Sequence, residues 1–505
     1  AAALISMVVL AAAPGAAQPT KTEEAQREAA LFGGDEPVGQ SERDQAVFGT
    51  TEGKAAGKKA EKSRDDTVLS GRTPMASAAD MEDRLNARDD TFKLGGSLYW
   101  RSSTAINDDR KTDEISFSNA ALFYAYGDVR PSDRLRAFVK GRFDHVLSGI
   151  DDDPAAQQDA LNLGLSERTR ARIDQLWLKF DIERTVFFTV GQQPIRWGTG
   201  RIWNPTDFVN AQRRDPLAIF DARPGISLLK LHVPFESSGT NLYAIAQFDG
   251  VRRASQIGGV FRVEQTMGPT EASISVGVRD DQPLRIGADF SGGIGPLEIR
   301  SEVALTHGGE RVRWTAPWRL DVTPPMEPTS KDVSDEWTPQ AVASLEWGIP
   351  YGDNDTLYLT AEYFFNGSGY DDTDLYPTLI LNGAFTPLYL GRHYVGANLV
   401  LPAPGRWDDS TFILSGLSNL SDRSVITRFD VRQRVLTRLS VYFFTAYHTG
   451  EKGEFRFEFD LPANPNLAAA AEAVGVPDSF VNQLKEGVHI PASWLDLGLW
   501  LSLSF

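Results

Sequence analysis

The chain has 505 residues, a net charge of −17 and no cysteine. The missing cysteines exclude disulfide bonds, thiol catalysis and cysteine-ligated metals, and the negative charge argues against nucleic acid as a partner, because phosphate binding needs clustered cations. The residues are 41% apolar, yet no run of about 20 apolar residues follows residue 17, which excludes a helical membrane protein.

The first 90 residues predict an exported chain with a flexible leader. Residues 1–17 form a short apolar run that ends in small residues, as the hydrophobic region and cleavage site of a signal peptide do. Residues 18–90 are mostly small or charged, and such a composition cannot bury enough apolar surface to fold alone. We therefore expect cleavage after Ala17 and a flexible periplasmic leader, in which Met81 and Leu85 behind Asp80 predict one short helix over Ala78–Arg88.

From residue 91 onward, short segments alternate apolar and polar residues between turn signals, which is the pattern of antiparallel strands. In Leu135–His145, Val139 and Phe143 fall on one face, while Lys140 and Arg142 fall on the other. The 18 predicted strands are Leu94–Ser103, Ile115–Val129, Leu135–His145, Gln175–Ile182, Thr185–Arg196, Ile226–Val233, Asn241–Phe248, Ile257–Glu264, Ala272–Arg279, Leu284–Gly292, Leu297–Thr306, Pro339–Ile349, Thr356–Phe365, His393–Leu401, Thr411–Ser418, Val425–Arg432, Leu439–His448 and Trp494–Phe505.

The connections between these strands alternate in length. Every second connection is short, for example Glu183–Arg184 and Gly293–Pro296. The other connections include five long ones, which are Ser148–Arg170, Trp197–Gly225, His307–Thr338, Asn366–Arg392 and Thr449–Ile490. Short turns on one side and longer loops on the other are typical of a transmembrane barrel. An even number of strands then returns both ends of the sheet to the same side.

One strand carries three cations on its polar face, namely Arg136, Lys140 and Arg142. They form either a functional ladder of positive charge inside a barrel or ordinary side chains that face water and the acids of a neighbouring strand. Acid-rich clusters such as Asp151–Asp153 lack the ligand spacing of a calcium loop, so we expect solvated loop tips and no metal site.

The chemistry of the sequence is concentrated in Gly191–Gly225, the densest run of Gly, Pro, Trp, Asn and Arg in the chain. Its glycines and prolines set turns, so the segment is not a plain strand. The candidate site residues in this segment are Arg196, Trp197, Arg201, Trp203, Asp207, Arg213, Arg214 and Arg223.

The last strand, Trp494–Phe505, places Leu497, Leu499 and Leu501 on one face and Trp500 on the other. An edge strand of a soluble β protein has the same alternation. The length of the strand matches the roughly 9 to 11 residues that a tilted strand needs to cross a bilayer, and the chain ends in an aromatic residue. In these features the sequence resembles bacterial outer-membrane β-barrel proteins.

This resemblance implies a fold and a location. The fold is an all-β, transmembrane antiparallel up-and-down β-barrel of about 18 strands over residues 91–505, closed because an unpaired sheet edge is costly in lipid. The resemblance also implies outer-membrane lipids and the barrel assembly machinery as partners, with Trp500 and Phe505 as the C-terminal assembly signal. A barrel of this size leaves an aqueous lumen.

The string W-G-x-G-x-x-W-N-P-T-D, at residues 197–207, resembles a motif of porin-like barrel families. A long arginine-rich loop of this kind is expected to fold into the lumen and narrow it, where guanidinium groups favour carboxylate or phosphate groups of a solute. In the alternative, the loop seals the barrel mouth and its arginines pair with Asp207, Asp215 and Asp221. Trp197 and Trp203 are either a sugar-stacking platform or aromatics at the membrane rim.

The function predicted from these features is a porin, an outer-membrane channel for passive diffusion of small hydrophilic solutes, with anionic solutes favoured. It needs no cofactor, and homo-oligomerisation stays open. The first alternative is an export or assembly barrel. A hydrolase is the second, but the six histidines lie in no catalytic motif, although His145, His307 and His448 fall at the ends of strands where an Asp or Ser could meet them.

Overall fold

The computed structural model describes residues 91–108, 115, 117–147, 169–210, 213–217, 223–280, 282–308, 312–317, 326–351, 355–382, 384–461, 463–465 and 485–505. The signal peptide and the leader, with its predicted helix over Ala78–Arg88, lie outside these residues, so both stay predictions.

Within the described residues, 18 antiparallel strands form a single sheet. Each strand pairs with the next along the chain, and the last strand pairs with the first, so the sheet closes on itself. The strands of the barrel are β1 (Phe92–Asn107), β2 (Ser118–Ser132), β3 (Leu135–Val146), β4 (Thr169–Ile182), β5 (Val186–Gln193), β6 (Ile226–Phe235), β7 (Thr240–Gln247), β8 (Gly258–Met267), β9 (Thr270–Val278), β10 (Leu284–Ile294), β11 (Leu297–His307), β14 (Trp337–Tyr351), β15 (Asp355–Asn366), β16 (His393–Pro402), β17 (Ser410–Asn419), β18 (Ser424–Leu436), β19 (Leu439–Gly450) and β22 (Ser493–Ser504).

All 18 predicted strands are therefore confirmed, in the predicted order. The other elements in the part of the chain that the structure describes lie in the loops. They are a hairpin of β12 (Val312–Ala316) and β13 (Thr329–Asp332), a hairpin of β20 (Phe459–Leu461) and β21 (Val488–Ile490), the helix α1 (Tyr376–Leu381), and two 3-10 helices at Ala254–Gln256 and Thr373–Leu375. Among the described helices, none is long and apolar enough to cross a membrane.

The two ends of the barrel differ, as the connection lengths predicted. At the end where β1 begins and β22 ends, neighbouring strands are joined by short turns, such as residues 183–185 between β4 and β5. We call this the short-turn end. The opposite end, the long-loop end, carries the long segments 194–225, 308–336, 367–392 and 451–492.

The terminal strand closes the barrel and has the predicted faces. Phe505 and Gly96 exchange two backbone hydrogen bonds of 3.0 Å, and the Phe505 ring stacks on Phe123 at 6.1 Å between centroids, on the outer face. Trp500 points inward and is 4% exposed, whereas Leu499 and Leu501 point outward. Large apolar side chains repeat this outward placement around the sheet, at Phe143, Ile173, Leu176, Ile274, Val303, Leu345 and Phe443 among others. The barrel thus has an apolar exterior and no unpaired strand edge.

Candidate functional site

We call the connection between β5 and β6, residues 194–225, the lumen loop. Its described residues, 194–210, 213–217 and 223–225, fold into the barrel and pack against its inner wall. Trp203 is fully buried, with its ring 5.4 Å from that of Phe364 on β15 and 5.5 Å from that of Tyr394 on β16. Its indole N–H donates to the carbonyl of Leu388 at 3.1 Å. Further along the loop, Phe208 covers Gly287 on β10 so closely that a Cβ there would lie 2.8 Å from the Phe208 ring.

Two glycines let the lumen loop reach the wall. Gly198 has a φ of +96°, and a Cβ at this position would lie 2.6 Å from the carboxylate of Glu302. A Cβ at Gly200 would lie 2.1 Å from the carbonyl oxygen of Trp203. The first glycine adopts a backbone conformation that L side chains rarely adopt, and both leave room for a close approach. The glycine spacing of the sequence motif is thereby explained.

Carboxylates of the barrel wall accept hydrogen bonds from the tip of the lumen loop. Glu302 on β11 accepts the backbone N–H groups of Thr199 and Gly200, at 2.5 and 2.6 Å. Glu362 on β15 accepts three successive backbone N–H groups, from residues 201, 202 and 203. The Arg201 side chain donates to Glu346 on β14 at 2.7 Å. The loop tip is therefore held by three acidic side chains on neighbouring strands.

Beyond this tip, the lumen loop and the long-loop end of the barrel enclose a cavity of about 210 Å³. Its lining combines loop residues, wall residues and part of segment 367–392. The lining residues are Asn204, Pro205, Asp207, Phe208, Asn210, Arg213, Arg214, Arg223, Pro283, Arg285, Thr306, Thr338, Gln340, Ser368 and Tyr389. Four arginines against one carboxylate make the described lining net positive.

The arginines of the cavity are held in place by their neighbours. Arg214 donates to the side-chain oxygen of Asn204, and Arg223 pairs with Asp207, each at 3.3 Å. The Arg213 guanidinium lies over the Tyr389 ring, 4.5 Å from its centroid, and Arg285 on β10 donates to the carbonyl of residue 208. Among the described residues, Arg213 and Arg285 form no ion pair, although the charge of Asp207 acts on Arg285 from a longer distance.

Tyr389 adds a neutral hydroxyl to this basic lining. Burial raises the pKa of Tyr389 to about 12, although the nearby charges of Arg213, Arg214 and Arg223 lower it. Because the phenol stays protonated at neutral pH, it can donate a hydrogen bond, and its described acceptor is the backbone carbonyl of Arg214 at 3.5 Å.

The structure separates the predicted site residues into three groups. Asp207, Arg213, Arg214 and Arg223 line the cavity. Trp197, Arg201 and Trp203 are buried in contacts with the wall, and Arg196 is exposed outside the lining.

Neither predicted role of the two tryptophans fits their positions. The Trp203 ring lies against Phe364 and Tyr394 inside the barrel, and Trp197 lies near Tyr243 and under the guanidinium of Arg262. Buried rings of this kind cannot stack on a sugar and do not sit at a membrane rim. They pack the lumen loop instead.

The predicted pairing of loop arginines with loop acids holds for Arg223 with Asp207. Asp215 accepts the backbone N–H of Leu217 at 2.8 Å. Asp221 lies outside the described residues, so its predicted pairing stays a prediction.

On β3 the three predicted cations do point inward, but two of them meet acids. Arg136 pairs with Asp128 on β2 at 2.9 Å, and Arg142 pairs with Asp144 on its own strand at 2.6 Å. Lys140 lies over the ring of Tyr124, 4.5 Å from its centroid. These contacts match the alternative in which the side chains face neighbouring acids, and none of the three lines the cavity.

A second buried polar cluster joins the loops at the long-loop end. Glu454 accepts hydrogen bonds from the Tyr394 hydroxyl at 2.5 Å, from the Asn419 amide at 2.9 Å and from the backbone N–H of Leu388. The same amide also donates to Asp422 at 2.9 Å. Burial, assisted by the charge of Asp422, raises the pKa of Glu454 to about 8. The cluster fixes segment 367–392, which carries Tyr389 of the cavity.

Four residues that matter here were not among the sequence candidates: Glu302, Glu362, Arg285 and Tyr389. The first three stand on the polar face of predicted strands, so an inventory of inward charges along each strand would have found them. Tyr389 lies in a loop and carries no comparable signal. Within the described residues, no group of three or more acidic or histidine side chains is placed to hold a metal ion.

No protein-family model matches the chain, and no curated protein matches it either. Several solved structures are similar to it. Acinetobacter baumannii OccAB3 is 11% identical with a TM-score of 0.47, over 82% of this chain and 99% of that chain. Pseudomonas aeruginosa OccK11 (OpdR) is 11% identical with a TM-score of 0.45, over 82% and 96%. Pseudomonas aeruginosa OpdK, solved with vanillate, is 12% identical with a TM-score of 0.44, over 82% and 98%. Values this low assign the chain to no family.

Proposed function

We propose that this protein is a porin of the bacterial outer membrane, a passive channel for small hydrophilic solutes that favours anions. The observation that carries the proposal is the cavity inside the barrel, lined by four arginines and one aspartate. Guanidinium groups bind carboxylate and phosphate oxygens through paired hydrogen bonds, and a ring of such groups in a pore selects anions. Arg213 and Arg285 are the main solute-binding side chains, because neither forms an ion pair among the described residues.

The fold supports the placement in a membrane. A closed barrel with an apolar exterior meets the two demands of lipid, since each barrel strand is paired with a neighbour on both sides and large apolar side chains face outward around the sheet. The barrel exterior therefore contacts outer-membrane lipids, and the terminal strand with Trp500 and Phe505 is the segment that the barrel assembly machinery recognises. Association of several barrels is compatible with this function but is not required by it.

The structure offers little support for a hydrolase. His448, at the long-loop end, has Nε2 2.8 Å from Asp496, and its Nδ1 is hydrogen-bonded to the carbonyl of Phe455. The nearby Ser493 hydroxyl is 2.8 Å from the other oxygen of Asp496. A base must have a free nitrogen that faces the nucleophile, and this histidine has none. We propose transport without a catalytic step and without a cofactor.

The test is to neutralise the two solute-binding cations together, as Arg213→Gln with Arg285→Gln, and to record single channels of the refolded protein in a planar bilayer. A potassium chloride gradient should then give a reversal potential shifted toward cation preference. The matched control is Arg423→Gln, which removes one exposed positive charge that pairs with Glu451 outside the cavity. A double variant with the reversal potential of the wild type would refute the proposed site. A folded wild-type barrel that never conducts would instead favour an export or assembly barrel.

A further inference from the structure

The sequence motif at residues 197–207 lies beside the cavity, but most of it touches the wall rather than the cavity. We infer that this motif is an anchoring module and that Glu302 and Glu362 are positioning residues: they set the ion preference of the pore by holding the lumen loop. The inference rests on the proposed channel function, which it deepens by naming what holds the part of the lumen loop that carries three of the four cavity arginines.

Glu302 is the first anchor. One carboxylate oxygen accepts the backbone N–H groups of Thr199 and Gly200 and the side-chain amide of Asn204, at 2.5, 2.6 and 3.1 Å. The other accepts both the backbone N–H and the hydroxyl of Thr206, at 3.1 and 2.7 Å. Glu302 is 1% exposed, so these donors replace water around a buried carboxylate. A concave run of backbone N–H groups of this kind is a binding site for an anion.

Glu362 is the second anchor. It accepts the backbone N–H groups of Arg201, Ile202 and Trp203 at 2.7, 3.0 and 2.7 Å. Glu302 and Glu362 belong to strands that are separated only by β14 in the sheet. The loop tip from residue 199 to residue 206 thus lies across neighbouring strands and is bound at both of its halves.

The loop residues that bind Glu302 are linked to arginines of the cavity. Asn204, which touches Glu302 through its amide nitrogen, accepts a hydrogen bond from Arg214 through its amide oxygen. Thr206, also bound to Glu302, is followed by Asp207, which pairs with Arg223. A displacement of Glu302 is therefore transmitted through one residue, Asn204, to Arg214 and through two, Thr206 and Asp207, to Arg223.

A carboxylate is the group that this arrangement needs. An amide at position 302 would turn its NH2 group toward backbone and side-chain donors, so donor would face donor on one side. An aspartate at 302 would keep the charge but hold it one methylene farther from the loop. Both changes should release the tip, although only the amide alters the charge.

The direction in which the ion preference changes distinguishes a positioning role of the carboxylate from the direct effect of its charge. Loss of a negative charge from the wall of a pore, with the loop unchanged, should raise its preference for anions. Loss of the anchor should lower that preference, because the three loop arginines, Arg213, Arg214 and Arg223, leave the cavity lining. The matched control is Glu264→Gln, an inward, buried carboxylate on β8 whose described hydrogen-bond partner, Arg262, lies on its own strand.

The experiment measures reversal potentials of single channels in a potassium chloride gradient, for full-length refolded protein whose barrel is verified by heat-modifiable migration. Glu302→Gln, Glu302→Asp and Glu362→Gln should each lower the chloride-to-potassium permeability ratio at least about twofold, while Glu264→Gln should leave it equal or raise it. Asn204→Ala, which removes the link between Glu302 and Arg214 without a charge change, should lower the ratio as well and serves if the wall variants do not fold.

The possible outcomes distinguish failure of the inference from failure of the proposed function. An anion-selective wild type with unchanged or increased anion preference in Glu302→Gln and Asn204→Ala would overturn the inference and leave the proposed function intact. A wild type that does not conduct, or that prefers cations, would overturn the proposed function and the inference with it.

Discussion

Replacing Trp203 by alanine should undock the tip of the lumen loop while the barrel stays closed. The indole ring is fully buried against Phe364 and Tyr394, and its N–H donates to the carbonyl of Leu388. A tryptophan buries about 150–250 Å², which at about 25 cal/mol per Å² corresponds to about 4–6 kcal/mol. Mutational series give about 3–5 kcal/mol for Trp→Ala. We take about 4 kcal/mol as the loss in docking free energy.

Hydrogen exchange measures this loss directly. The backbone amides of residues 201–203 are bonded to Glu362, so they exchange only when the tip opens. A loss of about 4 kcal/mol raises the open population roughly a thousandfold, because about 1.4 kcal/mol is one factor of ten. The same amides should therefore exchange roughly a thousand times faster in Trp203→Ala, whereas amides in the barrel strands should be unaffected.

Trp203→Phe is the matched control, because it keeps the stacked ring but removes the indole N–H. A lost neutral hydrogen bond costs about 1 kcal/mol, so this variant should exchange only about fivefold faster. If the amides of residues 201–203 exchange as slowly in Trp203→Ala as in the wild type, the packing of the tip does not depend on this ring and the reasoning fails.

Three further predictions concern other parts of the chain. Gly200→Ala should undock the same tip, because its Cβ would lie 2.1 Å from the carbonyl oxygen of Trp203, while Gly416→Ala, with open space around it, should leave loop exchange unchanged. Burial raises the pKa of Glu454 from 4.5 to about 8, so its contribution to stability is full below pH of about 4.5 and is lost as the pH rises through about 8. The melting temperature of Glu454→Gln should lack that decline with pH. An equal decline in both proteins would show that Glu454 is not the group that titrates. Deletion of Phe505 removes two backbone bonds to β1 and a ring stack, so it should lower the yield of heat-modifiable barrel, and an undiminished yield would argue against a role in assembly.

The alternation of side chains explains why the barrel itself could be predicted from the sequence. A strand with a buried inner face and a lipid-exposed outer face carries its geometry in a two-residue period. In the terminal strand this period placed Trp500 inward and the leucines outward, as the structure has them. The alternation of short turns with long loops then fixed which connections lie together at each end.

The site could be predicted only in part, because the sequence shows which face a side chain occupies but not what it meets there. The glycines, tryptophans and arginines of residues 194–225 marked the right loop. Which residues of that loop pack against the wall and which line the cavity depends on contacts between residues far apart in the chain, such as Thr199 with Glu302 and Trp203 with Glu362. Such contacts follow from the register of the closed sheet. Arg201 therefore resembled a solute-binding cation in the sequence, although its partner is Glu346.

The contribution of β3 shows the same limit. The sequence placed its cations correctly on the inner face. It did not show that Asp128 and Asp144 pair with Arg136 and Arg142 and neutralise their charges. Arg285, which the sequence did not single out, enters the cavity because β10 places it opposite Phe208 of the lumen loop.

The most direct test of the central claim is the reversal potential of the wild-type protein in a planar bilayer under a potassium chloride gradient. An open channel lined by the arginine-rich cavity predicts steady ohmic steps and a reversal potential of the sign that chloride preference gives. A verified, folded barrel that shows no conductance, or one that prefers potassium, would contradict the account.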